Sequence, residues 1–332
     1  MYLDSKPYIV AELNSSHRGK VENARQMIDV AKECGCNAVK FQSWTADSLY
    51  CKNYYDENPL SKRMVKGFSM ASSDLKELAD YCHEIGIDFS STPYSKAEVD
   101  FMVEECAPAF IKIASMDINN RPFLKYIAGK KLPIVLSTGM ATIEEIETAV
   151  QIIESEGNRD ICILHCVSVY PVESSEVNLR NMIMLKEKFP YCNVGYSDHT
   201  LGCEVACAAV GLGASLIEKH FTLDSSIIGW DNQMATEPAE MMDLVKKCKN
   251  VYSAMGSYER VITDKEYEQR KKMRRSIIAN RDLEMGHVIG EEDLDAKRPG
   301  TGIPIDSYQK IIGRKLNRNV NKDELILEDF IE

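Results

Sequence analysis

Two histidines, His199 and His220, each follow a short run of strand-like residues in the second half of the chain. One closes Gly195-Tyr-Ser-Asp-His-Thr200 and the other lies in Glu218-Lys-His-Phe221. Neutral imidazole is a common ligand for divalent metals. Two rings at the ends of neighbouring strands would hold one ion and leave positions open for water or a substrate oxygen, as catalytic sites do. A lone histidine is more often packed or solvated than metal-bound, so the pair gains weight only from its company. That company is a series of polar residues at the ends of other apolar runs: Glu12, Lys40 with Gln42, Thr92, Lys112 with Ser115 and Asp117, Ser137, Ser168 with Tyr170, and Ser197.

Lys112 is the sharpest of these, because it stands between Ile111 and Ile113 and a buried lysine is rare unless paired. Strand alternation places Lys40 and Gln42 on one face and Phe41 on the other. Two ammonium groups at one mouth, with hydroxyls from Thr92, Ser115, Ser137 and Ser197, form a cradle for phosphate and carboxylate. The alternatives are lysines that snorkel to solvent and serines that serve as turn or cap residues. Glu12 has three readings: a metal-shell ligand, a general base, or the partner of a lysine. His83 lies on a helical stripe and is expected at the surface, while His165 is expected to be packed.

The elements that must carry these residues follow from periodicity. Eight strand candidates run Tyr8–Leu13, Asn37–Gln42, Asp88–Ser91, Phe110–Ala114, Ile134–Ser137, Ile161–Cys166, Asn193–Ser197 and Ser215–Phe221. Between them lie stripes with apolar residues three or four apart, such as Val21, Ala24, Ile28, Ala31 and Cys34, which Gly35 closes in the C-cap position. Met140–Glu154 and Pro238–Tyr252 read the same way. Eight such units in about 250 residues fit a (β/α)8 barrel. A doubly wound open sheet is the alternative, disfavoured because no Gly-x-Gly-x-x-Gly loop follows the first strand. The stretch Trp44–Met70 is long for a connection and reads either as a binding loop or as a disordered surface excursion. Domain boundaries are expected at 1–255 for the barrel, 256–275 for a charged linker ending in Arg270-Lys-Lys-Met-Arg-Arg275, and 276–332 for a small module of short strands and turns. Within that module, His287–Leu294 faintly echoes Glu324–Phe330, a hint of internal pseudo-symmetry.

Composition bounds the function classes. The chain has 332 residues, 44% hydrophobic and 27% charged, ordinary for a soluble globular protein. No apolar run approaches the roughly 18 residues needed to cross a bilayer, and no signal-peptide pattern opens the sequence. A net charge of −11 argues against nucleic-acid binding, though a local basic cluster still suits an anionic small substrate. Eleven cysteines without disulfide-like spacing point to a reducing cytoplasm, with Cys162 and Cys166 read as small buried hydrophobes.

These segments together resemble the sialic acid synthase family, enzymes that condense phosphoenolpyruvate with an N-acetylmannosamine-type sugar. The resemblance is carried by Ile9-Val-Ala-Glu12, Val39-Lys-Phe-Gln42, Ser91-Thr-Pro-Tyr94, Lys112-Ile-Ala-Ser115, Leu136-Ser-Thr-Gly-Met140, Leu164-His-Cys166 with Tyr170-Pro171, Tyr196-Ser-Asp-His-Thr200 and Glu218-Lys-His-Phe221. Lys297-Arg-Pro-Gly-Thr-Gly302 matches the signature of the family's antifreeze-like (SAF) domain. The resemblance implies a TIM barrel followed by a β-clip SAF domain, a domain-swapped homodimer, and a C–C bond-forming transferase that releases phosphate by C–O cleavage. It implies that Lys40, Thr92, Lys112, Ser115, Ser137, Ser168 and Ser197 hold phosphoenolpyruvate. His199 and His220 would hold Mn²⁺ or Mg²⁺, with Glu12 beside the attacked carbon. Gln42, Asp117, Tyr170, Asp231 and Arg298 of the partner subunit would hold the sugar. Three departures fall mainly on the acceptor side: Ser168 replaces the usual Asn, Gly229-Trp-Asp-Asn232 replaces Gly-Pro-Asp-His, and Asn14-Ser-Ser-His-Arg-Gly19 replaces Gly-x-Asn-His-x-Gly. A related synthase acting on a sugar phosphate or another aldose, and a non-catalytic carbohydrate-binding protein, are the rival readings.

Overall fold

Eight parallel strands close into a barrel in sequence order: β1 (Tyr8–Glu12), β2 (Ala38–Gln42), β3 (Asp88–Thr92), β4 (Phe110–Ile113), β5 (Ile134–Ser137), β6 (Ile161–Cys166), β7 (Asn193–Asp198) and β8 (Leu216–His220). The computed structural model describes residues 7–332. The strands are short, β-branched and buried almost throughout, as expected of a parallel sheet covered on both faces. Closure pairs β1 with β8 in a register that sets Glu12 beside His220, while β1 against β2 sets Glu12 beside Lys40.

Alternation divides the strand residues between two cores. Tyr8, Val10, Ala38, Phe110, Val135, Cys162, Leu164 and Leu216 fill the barrel interior. Ile9, Ala11, Val39, Phe41, Ile111, Ile113, Tyr196 and Ile217 point outward against the helices. The interior is apolar for most of its depth and turns polar only near the C-terminal ends of the strands.

The helices match their expected stripes. Val21–Glu33 buries Ala24, Met27, Ile28 and Ala31, the spacing of a single helical face. Its C-cap is Cys34, so Gly35 lies one residue further on than expected, at a φ of +86° that favours glycine. Ile143–Ser155 starts at a capping box between Thr142 and Glu145. Pro238–Met255 has proline in its first turn.

Trp44–Met70 departs from the expectation of a disordered excursion, while Trp44, Leu49 and Tyr50 line the cavity at the barrel mouth, as a binding segment would. It folds as three short helices, Ala46–Leu49, Lys52–Glu57 and Pro59–Phe68. They surround a separate small core of Trp44, Ala46, Tyr55 and Val65, which orders the segment.

The chain divides into two compact units, one running to Gly256 and the other from Ser257. The second unit begins with a helix, Asp264–Met273, none of whose residues is buried, within the charged stretch read as a linker. It continues with two antiparallel strands, β9 (Ser276–Ala279) and β10 (Leu294–Lys297), over a core that includes Ile277, Leu283, Ile289, Leu316, Ile326 and Phe330. Ile289 and Ile326 hold equivalent places in the two echoing segments. Each is buried and each precedes a single 3₁₀ turn, Glu291–Asp293 and Glu328–Phe330. Among the described residues, no helix is long and apolar enough to cross a membrane.

Candidate active site

The polar strand ends converge on one cavity of about 380 Å³ at the C-terminal mouth of the barrel. Glu12, Lys40, Gln42, Thr92, Lys112, Ser115, Ser137, Ser168, Tyr170, Ser197, His199, His220 and Asp231 all line it. Among the residues expected from this chain's own barrel, Asp117 does not. Asp117 lies outside the lining, hydrogen-bonded by Asn120 in the turn after β4. Arg298 is exposed in the second unit, in the segment that follows β10.

The floor is a buried ion web. Lys112 donates to Ser137 Oγ at 2.6 Å and lies 3.6 Å from Glu218 Oε1. Lys40 donates to Thr92 Oγ1 at 3.1 Å, lies 3.6 Å from Glu218 Oε2, and is paired closely with Glu12. Neither lysine snorkels to solvent, since each side chain is only 4% exposed. Glu12 is thus a lysine partner, and it also lines the cavity. Its Oε1 also accepts from the backbone N–H of Asn14 at 2.8 Å.

Glu218 is the residue that strand-end reading missed. It bridges both lysines and accepts from Ser197 Oγ at 2.9 Å. The signal was present: it precedes His220 by two, so alternation puts both on the inner face of β8. Burial by itself would raise the Glu218 carboxyl, but Lys112, Lys40 and the Ser197 hydroxyl outweigh it and hold the group below its usual range. Burial is the main cause that lowers Lys40, to about 7; Lys112 adds to the effect and Glu218 opposes it. Two ammonium groups and two carboxylates leave the floor formally balanced.

Ser115, Ser168 and Gly139 meet at the side of the cavity. The Gly139 N–H donates to Ser115 Oγ at 3.0 Å. A Cβ on Gly139 would lie 2.2 Å from Ser168 Oγ and 2.8 Å from Ser115 Oγ, so only glycine lets the three approach.

The two imidazoles stand above this floor, ring centroids 5.5 Å apart, with the Tyr170 ring 4.1 Å from His199 and 5.9 Å from His220. His199 Nδ1 lies 2.7 Å from the Val167 carbonyl, which assigns its proton to Nδ1 and leaves Nε2 as the basic nitrogen. Among the described residues no hydrogen bond reaches the His220 ring. Burial, with His199 and Lys40 adding to it, pushes His220 well below its ordinary value and keeps it neutral. Both features suit a divalent cation. No group of three or more His, Cys, Asp or Glu among the described residues is arranged as a metal site, so the rings would act as a pair.

Cys166 departs from its expected role as a small buried hydrophobe. It is buried, but it lines the cavity, 4.0 Å from His199 Nδ1 and 3.8 Å from Ser115 Oγ. Two other histidines behave as expected: His83 is exposed, and His165 is packed, with Nε2 2.6 Å from the Val177 carbonyl and its ring stacked on Tyr196.

The rim has a different character. Trp44, Tyr94, Met116, Met140 and Trp230 line it. Trp44 meets Trp230 and Tyr94 edge-on, each at 6.0 Å between centroids. Asp231 is held by Asn14 Nδ2 at 2.5 Å. Asn232 does not reach the cavity. It is buried and donates to the carbonyls of Asp224 at 2.8 Å and Ile227 at 2.6 Å, tying together the loop that carries Trp230 and Asp231.

A TIM barrel with paired lysines, a hydroxyl ring and two imidazoles at its C-terminal mouth is the architecture of an enzyme acting on a small anionic substrate. Residues 27–260 match the NeuB family and residues 274–332 match the SAF domain, and the chain belongs to the NeuB family of sialic and related nonulosonic acid synthases, C–C bond-forming transferases. It is 37% identical to the N,N'-diacetyllegionaminic acid synthase of Legionella pneumophila, over 98% of this chain and 94% of that one. It is 32% identical to the N-acetylneuraminate-9-phosphate synthase of Drosophila melanogaster, over 98% and 95%. Among solved structures, the N-acetylneuraminic acid synthetase of Leptospira borgpetersenii in complex with citrate superposes with a TM-score of 0.73 at 32% identity, covering 79% of this chain and 89% of that one.

Proposed function

We propose that this chain condenses phosphoenolpyruvate with an N-acetylmannosamine-type aldose, dependent on Mn²⁺ or Mg²⁺, with C–O cleavage and release of phosphate. The observation that carries the reading is the buried floor on which Lys40 and Lys112 share Glu218 beneath two imidazoles in a single cavity. The lysines, with Thr92, Ser115, Ser137, Ser168 and Ser197, offer ammonium and hydroxyl donors to the phosphate and carboxylate of the enol. Gln42, Tyr170 and Asp231 line the acceptor side; Asp117, outside the lining, is left out of that set. Arg298 of the partner subunit joins them in a domain-swapped homodimer.

A divalent ion held by His199 and His220 would polarise the acceptor's aldehyde oxygen. The enol carbon of phosphoenolpyruvate attacks the aldehyde carbon and forms the new C–C bond. Positive charge develops at C2, where water adds, and the tetrahedral adduct expels phosphate by breaking its C–O bond. No nucleophilic side chain is consumed. The protein's work is to hold two substrates in line and to stabilise charge as it shifts. All eleven cysteines are unpaired, which suits this chemistry in a reducing cytoplasm.

The test is phosphate release on mixing the protein with phosphoenolpyruvate, Mn²⁺ and candidate aldoses. Release that needs all three, and that His220→Ala abolishes while the variant still melts cooperatively, supports the reading. Phosphoenolpyruvate that neither binds nor turns over with any aldose removes it.

A further inference from the structure

Resting on the reading that phosphoenolpyruvate occupies the barrel floor, we infer that the acceptor is an uncharged aldose whose methyl or acetamido substituents pack against a wall formed by Trp44 and Trp230, and that this wall excludes a phosphorylated aldose. The charge inventory comes first. Among the described residues lining the cavity, Lys40 and Lys112 are the only lysines and none is an arginine. Both lysines are on the floor and are balanced by Glu12 and Glu218. A phosphate at the rim would find no ammonium or guanidinium group in the lining. It would lose water against aromatic and thioether surface, and the one guanidinium that the proposed function brings to the sugar, Arg298 of the partner subunit, carries a single positive charge against a phosphate monoester's nearly two negative ones. It would also face Asp231, a like charge.

The wall's construction comes second. Trp44 is 4% exposed and is rooted in the small core of the helical segment, against Ala46, Tyr55 and Val65. Trp230 is only half-buried, meets Trp44 at 6.0 Å and packs at 6.4 Å from Phe68. Its loop is pinned by the two Asn232 hydrogen bonds and by the Asn14–Asp231 contact. A Cβ on Gly229 would come within 2.8 Å of Asn232 Cβ, so that loop follows a path built for glycine at this point. An aromatic wall held this rigidly favours C–H groups of a sugar over solvated anions, and binds them without an ordering cost. Trp230 and Asn232 are also two of the positions at which the sequence departs from the pattern of the family it resembles.

The experiment compares phosphate release with phosphoenolpyruvate, Mn²⁺ and three acceptors: a diacetamido-trideoxyhexose, N-acetylmannosamine and N-acetylmannosamine 6-phosphate. The expected order of kcat/KM is as written, with the 6-phosphate at least about a hundredfold below the first. Trp230→Ala should raise KM for the trideoxyhexose about tenfold, while KM for phosphoenolpyruvate stays within about twofold; Trp230→Phe should recover most of the loss. A 6-phosphate used as well as or better than the other two overturns the inference and leaves the condensation reading standing. So does a Trp230→Ala variant that lowers kcat/KM for all three acceptors by one common factor. Absence of release with every acceptor removes the condensation reading itself, and the inference with it.

Discussion

Strands β7 and β8 carry two buried ion clusters, one on each face, made from adjacent residues. On the outer face Lys219 donates to Asp198 Oδ2 at 2.7 Å and to the Thr200 carbonyl at 2.5 Å. The other oxygen of Asp198 accepts from the Thr200 N–H at 2.9 Å, the Thr200 hydroxyl at 2.7 Å and the Tyr196 hydroxyl at 3.2 Å. On the inner face Glu218 and Ser197 meet Lys40 and Lys112, Glu218 Oε2 has no hydrogen-bond donor among the described residues, and the whole group borders the cavity. The ingredients are the same: lysine, carboxylate and hydroxyl. The outer cluster is closed by the protein and acts as scaffold. The inner one is left open to a ligand, so its charges are available for substrate. Burial of a lysine therefore does not mark function; a neighbouring void does.

The two faces should fail differently when broken. Lys219→Met leaves Asp198 as a buried charge without its partner, and the expected loss is about 3–5 kcal/mol in chemical denaturation, with the surviving folded fraction active. A stable, inactive Lys219→Met would reverse the assignment of the two faces. Lys112→Met should do the opposite, lowering turnover on the order of a thousandfold while costing less stability than Lys219→Met, because Glu218 keeps Lys40 as a partner and borders an open cavity.

The inner face should also titrate. Burial depresses Lys40 to about 7, so in the ligand-free protein its proton is present below that pH and lost above it. Phosphoenolpyruvate affinity, measured by calorimetry without metal, should fall as pH rises past about 7, approaching tenfold per unit, with proton uptake on binding. Since Glu218 raises Lys40, Glu218→Gln should move that fall to lower pH; an unmoved profile would separate Lys40 from the binding step.

The smallest effect extends the comparison to the second unit, where Asp293 is another closed carboxylate. It is buried and accepts from the Gly290 N–H at 2.8 Å, His287 Nε2 at 2.6 Å and Arg281 Nε at 2.8 Å. Burial would raise it, but these partners hold it down to about 2. A depressed carboxylate stabilises the fold above its unfolded pKa of about 3.9, and that contribution disappears as pH falls from about 4 to about 2. Asp293→Asn should therefore cost about 2 kcal/mol at neutral pH, measured by thermal unfolding, and should flatten the acid limb.

Much of this was legible in the amino-acid order because it is local. The eight strands lie within a residue or two of their expected bounds, since short apolar, β-branched runs between turn residues are set over a few residues. Strand alternation puts Lys40 and Gln42 on one face, and the flanking Ile111 and Ile113 single out Lys112. Glu218 is hidden in the sequence because it lies two residues before the strand's end, though alternation from His220 puts it on the same face. Cys166 looked apolar because its sequence neighbours are; its actual neighbours, His199 and Ser115, come from other strands. The segment Trp44–Met70 looked like a loop because its own small core recruits Trp44 at one end and Trp230 from the far side of the chain.

The order of residues by itself determined which side chains face inward on each strand, how many strands there are, and which of them end in lysine, hydroxyl or imidazole. Only the tertiary structure decided that Glu12, Lys40 and His220 are lateral neighbours, that Glu218 is shared between two lysines, and that the outer Lys219 is sealed while the inner lysines face a void. The physical reason is that side-chain direction follows from backbone geometry within a few residues. Shared charge depends instead on inter-strand register and barrel closure, which no local pattern specifies.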